Sequence, residues 1–197
     1  MHIPDGFIDL PTSAAFAAVA AAGVAISIRG AKSSLDEKTA PLAGLTATFI
    51  FAVQMLNFPV AAGTSGHLLG AGLAAVLIGP YAATLAITIV LILQALLFAD
   101  GGLSALGLSI FNMSLVAVWF GYVVFLLVKK IAPKKKISIS IAAAIAALLS
   151  VLAAAAGFVL QYAIGANATF SVSAVFTAMI GTHLLIGIGE ALITFFA

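Results

Sequence analysis

The chain has no cysteine and very little charge, and each absence narrows what it can be. Without cysteine it has no disulfide, no thiolate metal ligand and no cysteine nucleophile. Only 7% of its residues are charged and 64% are hydrophobic, whereas charged residues make up about 25% of soluble domains. The composition excludes a soluble domain. It predicts an all-α integral membrane protein in which residues 1–197 form a single polytopic membrane domain.

Two motifs that would indicate catalysis or nucleotide binding are also missing. The chain has no His-Glu-x-x-His motif and no evident pair of a nucleophile and a base. It has no phosphate-binding loop either, because the run Gly30-Ala31-Lys32-Ser33 lacks the required preceding spacing. We therefore expect a chain that is not an enzyme and that depends on other subunits for any energy from ATP.

The eight Lys and Arg residues lie in two stretches, from Arg29 to Lys38 and from Lys129 to Lys136. Such stretches of membrane proteins usually lie in the cytoplasm, which explains the basic residues better than nucleic-acid binding does. Because a membrane helix needs about 20 apolar residues, the hydrophobic runs predict seven helices. They lie near residues 12–29, 41–57, 66–79, 81–98, 104–128, 138–163 and 172–196. One predicted helix separates the N-terminus from the first basic stretch, and five separate it from the second. With both stretches inside the cell, these odd numbers of crossings place the N-terminus outside.

Both ends of the chain need interpretation. Residues 12–28 resemble a signal peptide, but the positive charges follow the apolar run instead of preceding it. We therefore interpret this run as a retained first helix. At the other end the sequence stops at Phe195-Phe196-Ala197, inside the last predicted helix, and we expect a cytoplasmic tail beyond it.

The first two residues carry groups that bind transition metals. Met1 should be retained, because methionine aminopeptidase removes Met before small residues and His2 is large. The terminal amine, the His2 amide nitrogen and the His2 imidazole can then close two fused chelate rings around one ion. Three roughly coplanar nitrogens favour Ni(II) or Cu(II), and His67 is the best candidate for the fourth ligand. Residues 1–11 are therefore predicted to form an extracellular metal-binding segment.

Each histidine also has a simpler interpretation. A lone His2 is most often an ordinary tail residue, and His67 can cap or pack a helix. His183 can be a hydrogen-bonded residue within the membrane. The retained amine and the absence of cysteine shift the balance modestly toward metal binding.

Other polar side chains gather in the outer half of the predicted bundle, where polar groups are costly and tend to mark function. The candidates for contacts behind the metal ligands or for positioning loops are Asp5, Asn57, Thr64, Ser65, Asp100 and His183. Asp100 is equally well interpreted as a turn former before two glycines. Glu190 lies on nearly the same helix face as His183, and a structural or coupling role is favoured for it. No chain of ionisable residues reaches the cytoplasmic face, so the polar groups indicate an outward-facing cup.

Small residues recur at every fourth position of the first predicted helix, at Ala14, Ala18 and Ala22. Such stripes let helix backbones approach closely in lipid. The stripe indicates either packing inside the bundle or a face that docks a partner membrane protein.

Several short motifs together resemble those of the CbiM/NikM family. They are Met1-His2-Ile3-Pro4-Asp5-Gly6-Phe7, Asn57-Phe58-Pro59-Val60, Gly63-Thr64-Ser65-Gly66-His67, Phe98-Ala99-Asp100-Gly101-Gly102, Asn112-Met113 and Gly187-Ile188-Gly189-Glu190-Ala191. The family comprises the substrate-binding S components of cobalt and nickel energy-coupling factor transporters of prokaryotic cell membranes. The resemblance implies the six-helix S-component bundle with one additional N-terminal helix. It also implies that Met1, His2 and His67 supply the nitrogens that bind the metal.

The resemblance further implies a substrate and partners. Family members work with a transmembrane T component, two cytoplasmic ATPases and often a small accessory membrane subunit. Many cobalt-type relatives have proline after the equivalent of His67, where this chain has Leu68. The chain looks more like the nickel branch, so Ni2+ is the expected substrate and Co2+ is the alternative.

Two other functions are weighed against this one. A stand-alone secondary divalent-metal transporter or channel needs an ionisable relay through the membrane, which the sequence does not show. A membrane metalloenzyme would normally leave a ligand position open for its substrate, and hydrolytic turnover would be needed to support it.

Overall fold

The computed structural model describes residues 1–37, 39–60, 65–133 and 135–197, and these residues are almost entirely helical. The helices are α1 (Leu10–Ser34), α2 (Thr39–Gln54), α3 (Ala71–Leu97), α4 (Leu106–Ser109), a π-helical segment (Ile110–Val116), α5 (Ala117–Ile131), α6 (Lys136–Gly165) and α7 (Val172–Phe196). One antiparallel pair of two-residue strands, β1 (Phe58–Pro59) and β2 (Ser65–Gly66), lies between α2 and α3. The expected all-α fold is confirmed, with this strand pair as a minor addition.

Five helical stretches are long and apolar enough to cross a bilayer. They are α1, α3, the continuous run Leu106–Ile131, α6 and α7. α2 is a shorter apolar helix of 16 residues. These helices agree with the membrane protein that the composition predicts.

α1 begins where its sequence carries a helix start signal. Asp9 has an extended conformation just before the helix, and its carboxylate accepts a 2.8 Å hydrogen bond from the Thr12 N–H. Pro11 lies in the first turn, where its missing N–H costs nothing. The cap fixes the point at which the chain leaves the N-terminal segment and enters the bundle.

The helices expected at 66–79 and 81–98 form one element in the structure, α3. Residues 66–70 precede the helix and are not helical. Gly79 interrupts α3 with φ 76° and ψ 162°, immediately before Pro80. A side chain at Gly79 would disfavour this positive φ, which glycine adopts readily.

The chain reverses direction at this interruption. A straight helix with the 27 residues of α3 would be about 40 Å long. Yet His67, before the helix, lies against the His2 ring, and Asp100, after the helix, lies 3.5 Å from the same ring. Both ends of α3 therefore reach the same site, so its two legs run in opposite directions.

With α3 counted as two legs, the described residues contain seven helical legs, one for each predicted hydrophobic run. The last helix has the predicted bounds, and the others begin or end a few residues away from them. The number of membrane crossings and the outward position of the N-terminus stay predictions.

The central helices approach one another closely because they meet at glycines. A Cβ built on Gly72 of α3 would lie 2.4 Å from the Ala147 Cα of α6. A Cβ on Gly187 of α7 would lie 3.1 Å from the Leu148 carbonyl oxygen of the same helix α6. Backbone atoms cannot move aside as a flexible side chain can, so these helices are held in one arrangement.

The small-residue stripe of α1 does not pack inside the bundle. Ala14, Ala18 and Ala22 are all exposed. The interpretation of the stripe as internal packing is therefore wrong, because its side chains contact no neighbouring helix closely enough to be buried. The interpretation as a docking face stays a prediction.

The two ends of the bundle differ in charge. Lys136 starts α6, and it lines a cavity of about 450 Å³ together with Lys129 and Lys135. The opposite end of α6, at Gly165, contacts the N-terminal segment through Asp9. The described basic residues of this loop and the N-terminal segment therefore lie at opposite ends of a helix of 30 residues.

Candidate metal centre

The N-terminal segment (residues 1–9) is held against the loop between α6 and α7. The Asp9 N–H donates to the Gly165 carbonyl at 2.7 Å, and the Asn167 N–H donates to the Phe7 carbonyl at 3.1 Å. These bonds replace the regular secondary structure that the segment lacks. They fix its direction, so that the chain before Phe7 runs into the bundle.

A second loop, which follows α3, holds the beginning of the segment. The Ile3 carbonyl accepts a 2.8 Å hydrogen bond from the Gly102 N–H. Asp5 Oδ1 accepts hydrogen bonds from the N–H and the hydroxyl of Ser104, at 2.8 and 2.5 Å. Ile3 is fully buried and Met1 is 1% exposed. The terminal amine is thereby placed in the interior of the bundle.

The His2 ring is held by the loop that follows α3. His2 is 4% exposed, and its Nε2 lies 3.5 Å from Asp100 Oδ2. Asn57 Nδ2 donates to the same carboxylate oxygen at 2.5 Å. Gly101 lies against the ring, because a Cβ built on it would be 3.0 Å from His2 Nδ1. A proton on Nε2, facing Asp100, leaves Nδ1 as the ring nitrogen with a free lone pair.

His67 approaches His2 from the stretch between β2 and α3. The two ring centroids are 4.7 Å apart, with 31° between the ring planes. His67 is fully buried, and its Nδ1 lies 2.7 Å from the Leu68 carbonyl oxygen, to which it donates. Its Nε2 has no hydrogen-bond partner among the described residues. A ring held by one nitrogen through a carbonyl, with the other nitrogen free, is typical of a metal ligand.

Burial keeps the amine and both imidazoles uncharged at neutral pH. It lowers the pKa of the Met1 amine from 8.0 to about 4, although Asp100 and Glu190 act in the opposite direction. It lowers the pKa of His2 from 6.5 to about 3, and the positive charge of the amine lowers it further. The same two causes hold the pKa of His67 well below its usual value. Uncharged nitrogens have the lone pairs that a metal needs.

An open cavity of about 360 Å³ lies beside this centre. It is lined by His2, Pro4, Asp5 and the loop 99–102. The acidic residues of the loop and of the N-terminal segment, Asp100 and Asp5, thus line the same cavity as His2.

The structure places three of the predicted supporting residues, and two others fall wholly or partly outside the described residues. Asn57 contacts Asp100, Asp100 contacts His2, and Asp5 contacts the loop after α3. Thr64 lies outside the described residues, and so does the side chain of Ser65. The three residues that the structure places therefore contact the His2 ring or hold the N-terminal segment against the loop after α3.

His183 is close enough to His67 for its positive charge to lower the pKa of that ring. It is fully buried in α7, and its Nδ1 lies 2.7 Å from the Met179 carbonyl oxygen, one turn earlier. Among the described residues, no hydrogen bond or ring contact joins it to His2 or His67. Its Nε2, like that of His67, has no hydrogen-bond partner there.

Three residues that shape the centre receive no role from the sequence. Gln54 Nε2 donates to the Leu69 carbonyl at 2.8 Å and so holds the stretch that carries His67. Gly101 gives the His2 ring its space, and Asn167 binds the N-terminal segment. The one available signal is that Gln54 is an amide at the end of an apolar run, where polar side chains tend to mark function.

The described residues contain no group of three His, Asp or Glu side chains placed to hold a metal ion. A four-ligand centre that includes His2 and His67 would therefore have to draw on the amine and the amide nitrogen at the N-terminus.

A protein-family model fits nearly the whole chain. The model CbiM, described as a cobalt uptake substrate-specific transmembrane region, matches residues 2–197.

Several proteins of archaea and bacteria are similar in sequence. A protein of Haloquadratum walsbyi assigned to metal transport is 37% identical over 194 residues, which cover 98% of this chain and 86% of that protein. A protein of Archaeoglobus fulgidus assigned as a fused nickel transport protein, NikMN, is also 37% identical over 194 residues, and the chain spans 63% of its length. The cobalt transport protein CbiM of Sorangium cellulosum is 33% identical over 201 residues, which cover 98% of this chain and 88% of the relative.

Solved structures show the same architecture. The crystal structure of a truncated transition metal transporter matches with a TM-score of 0.86 and 33% sequence identity. The match covers 100% of this chain and 95% of that one.

Proposed function

The chain belongs to the CbiM family of cobalt and nickel transport proteins, and we propose that it is the component that captures the metal ion. It is a membrane transport component and not an enzyme, as its family and relatives show. The proposed substrate is Ni2+, with Co2+ as the alternative.

The contact between the two buried histidine rings carries this proposal. The terminal amine, the His2 amide nitrogen and His2 Nδ1 can close a five-membered and a six-membered chelate ring on one ion. Asp100 faces the other ring nitrogen and so favours the tautomer in which Nδ1 is free. His67, 4.7 Å away ring to ring, is then the fourth nitrogen donor.

The donor set favours nickel over cobalt. Four nitrogen donors, one of them a deprotonated amide, suit the square-planar geometry of Ni(II). The proposed ligands include no oxygen or sulfur atom. The same donor set would also suit Cu(II), but two of the relatives named above are assigned to nickel or cobalt transport. We therefore place nickel first.

We further propose that ATP-driven uptake involves partner subunits of an energy-coupling factor importer. These are a transmembrane T component, two cytoplasmic ATPases and a small accessory membrane subunit. The absence of a phosphate-binding loop from the sequence supports separate ATPases. The fused NikMN relative is longer than this chain, which supports an additional component.

Metal binding to the purified protein tests the proposal. Calorimetry and absorption spectroscopy with Ni2+ and Co2+ would compare the native N-terminus with a variant carrying two glycines before Met1, because a single added residue would put histidine in third position and create another square-planar nickel chelate. We expect tight nickel binding with a square-planar d–d band, and the loss of both on extension. The variant His67→Ala should shift the band to lower energy, because water replaces a nitrogen.

A matched control comes from the other buried histidine. His183→Gln removes an imidazole that is as buried as His67 and is bonded to the backbone in the same way. It should leave the band in place. Nickel binding that ignores both the extension and His67→Ala would overturn the proposed centre. Uptake of nickel into vesicles by this chain alone, without an ATPase, would favour the secondary transporter instead.

A further inference from the structure

Glu190 is a buried carboxylate that the proposed centre does not use as a ligand. It lies in the second half of α7 and is 3% exposed. Its Oε1 accepts hydrogen bonds from two successive backbone N–H groups, those of Leu69 and Gly70, the second at 3.2 Å. Its Oε2 has no hydrogen-bond partner among the described residues.

The two N–H groups belong to the stretch that carries His67. Residues 67–70 lie between β2 and α3 and have no regular secondary structure. Their backbone groups cannot be left unpaired in the interior, because an unpaired buried group is costly. A carboxylate that accepts two N–H groups makes charge-assisted bonds, which are stronger than bonds between neutral groups.

A second helix holds the same stretch from the other side. Gln54, at the end of α2, donates from Nε2 to the Leu69 carbonyl at 2.8 Å. The N–H of Leu69 is thus bound by α7 and its carbonyl by α2. Gly70 follows with φ 72° and lies so close to Ile50 of α2 that a Cβ would be 2.8 Å from Ile50 Cγ1.

We infer that Glu190 is the positioning residue for the metal ligand His67, an inference that rests on the proposed function. By fixing the peptide groups on either side of Leu69, the carboxylate fixes the backbone immediately after His67. The ring of His67 is itself bonded to the Leu68 carbonyl. An unbroken series of bonds therefore leads from α7 to the imidazole.

This connection makes the metal centre sensitive to the position of α7. Because α7 binds the N–H of Leu69 and α2 binds its carbonyl, a shift of α7 relative to α2 would displace the backbone at Leu69. That displacement would turn His67 away from His2. The remaining three nitrogens lie on the N-terminal segment, which is held by other loops. Loss of one ligand in four would weaken the binding of the ion without dismantling the rest of the centre.

Glu190 has one competing role, which is to act on the terminal amine through its charge. The carboxylate is one of the two acidic groups that raise the pKa of the Met1 amine. That effect would not pass through His67. A double-mutant cycle separates the two roles, because residues that act through one another give non-additive effects.

The test uses full-length protein with Glu190→Ala, Glu190→Gln, His67→Ala and the double variant Glu190→Ala/His67→Ala. The measurements are the nickel dissociation rate, the d–d band, and amide hydrogen exchange of residues 68–70 in the metal-free protein. Asn112→Ala is the matched control. It removes a buried hydrogen bond of 2.7 Å to Gln161, and the other hydrogen bond of Gln161 goes to Leu108 and not to residues 67–70.

We expect Glu190→Ala to speed nickel dissociation by about 10–100-fold, the range for partners that orient a metal ligand, and to give the band of His67→Ala. Adding Glu190→Ala to His67→Ala should change neither quantity. Glu190→Gln keeps an acceptor oxygen and should restore the band with a smaller rate change. Exchange at residues 68–70 should rise in both Glu190 variants and stay unchanged in Asn112→Ala.

Two results would overturn the inference while leaving the proposed centre intact. One is a wild-type band and rate in Glu190→Ala. The other is an equal rate change with and without His67, which would assign the effect to the amine. If Glu190→Ala does not fold, the hydrogen exchange of residues 68–70 in Glu190→Gln decides the question. A rise in exchange there supports the inference, and a wild-type rate overturns it. Absence of the band from the wild-type protein would overturn the proposed function and this inference together.

Discussion

The rings of His2 and His67 face each other at 4.7 Å, although neither residue belongs to a helix. Each is held through a neighbour in the chain, since Ile3 is bonded to Gly102 and Leu69 to Gln54. Two irregular stretches therefore meet inside a helical frame. The position of His67 therefore depends in part on a side-chain bond from Gln54, which a single substitution can remove.

The protonation state of the centre predicts how many protons nickel displaces. At pH 6 a free Met-His peptide carries a protonated amine and a mostly protonated imidazole, so with its amide proton it should release nearly three protons. In the folded protein both groups are bases with lowered pKa values, about 4 for the amine and about 3 for His2. They are already neutral at pH 6, so nickel binding should release about one proton, that of the His2 amide.

Calorimetry at pH 6 in buffers of different ionisation enthalpy measures this number. A peptide with the first residues of the chain is the control. Release of nearly three protons from the protein would show that the N-terminal segment is not docked before the metal binds.

Asp100 should set the tautomer of His2. Asp100→Asn removes the charge that faces His2 Nε2 at 3.5 Å, so Nε2 loses its preference for the proton. Nickel affinity should fall about 10–100-fold, the usual cost of losing such a partner. Asp9→Asn removes the same charge at the cap of α1, where asparagine caps as well as aspartate. Titration calorimetry should show unchanged affinity in that control, and an equal fall in both would point to a general effect of charge.

Gly101 should tolerate no side chain. Its φ of 91° disfavours other residues, and a Cβ would lie 3.0 Å from His2 Nδ1, the proposed ligand atom. Gly101→Ala should therefore displace the ring and weaken nickel binding. Gly44→Ala is the control, because nothing lies within 4 Å of a Cβ there. In that helical position the change should stabilise the protein by about 0.5–1 kcal/mol, and absorption titration should give wild-type binding.

The exposed stripe of α1 should matter to a partner and not to folding. Ala18→Leu adds a larger side chain to an exposed face, so the thermal stability of the purified chain should not change. Co-purification with the T component should be lost if this face docks it. Ala156→Leu makes the same change at an exposed position of α6, and it should leave co-purification intact. Equal losses in the two variants would argue against a specific face.

Much of the fold is predictable because the membrane imposes strong constraints on the sequence. Apolar runs and confined positive charges indicate the helical legs, and Gly79 with Pro80 marks the reversal between two of them. Residues 66–70 mislead, because all of them except His67 are small or apolar, and the run passes for the start of a helix. Their N–H and carbonyl groups instead find partners on α2 and α7, and such distant partners leave no local pattern.

The candidate centre is predictable to a similar degree. Met1, His2 and His67 stand out as nitrogen donors because the chain contains three histidines and no cysteine. The supporting contacts are harder to foresee. Gly101 and Asn167 act through shape and through backbone hydrogen bonds, and neither property leaves a local pattern in the sequence.

The N-terminal segment is made first but cannot take its final position until late. Ile8 pairs with Ala166 as an isolated β-bridge, so one of the two loops that hold this segment leaves the ribosome only after helices α1 to α6. Until then the loop that follows α3 is the one partner available to it. Complete docking of the segment therefore has to follow the synthesis of residues 165–167.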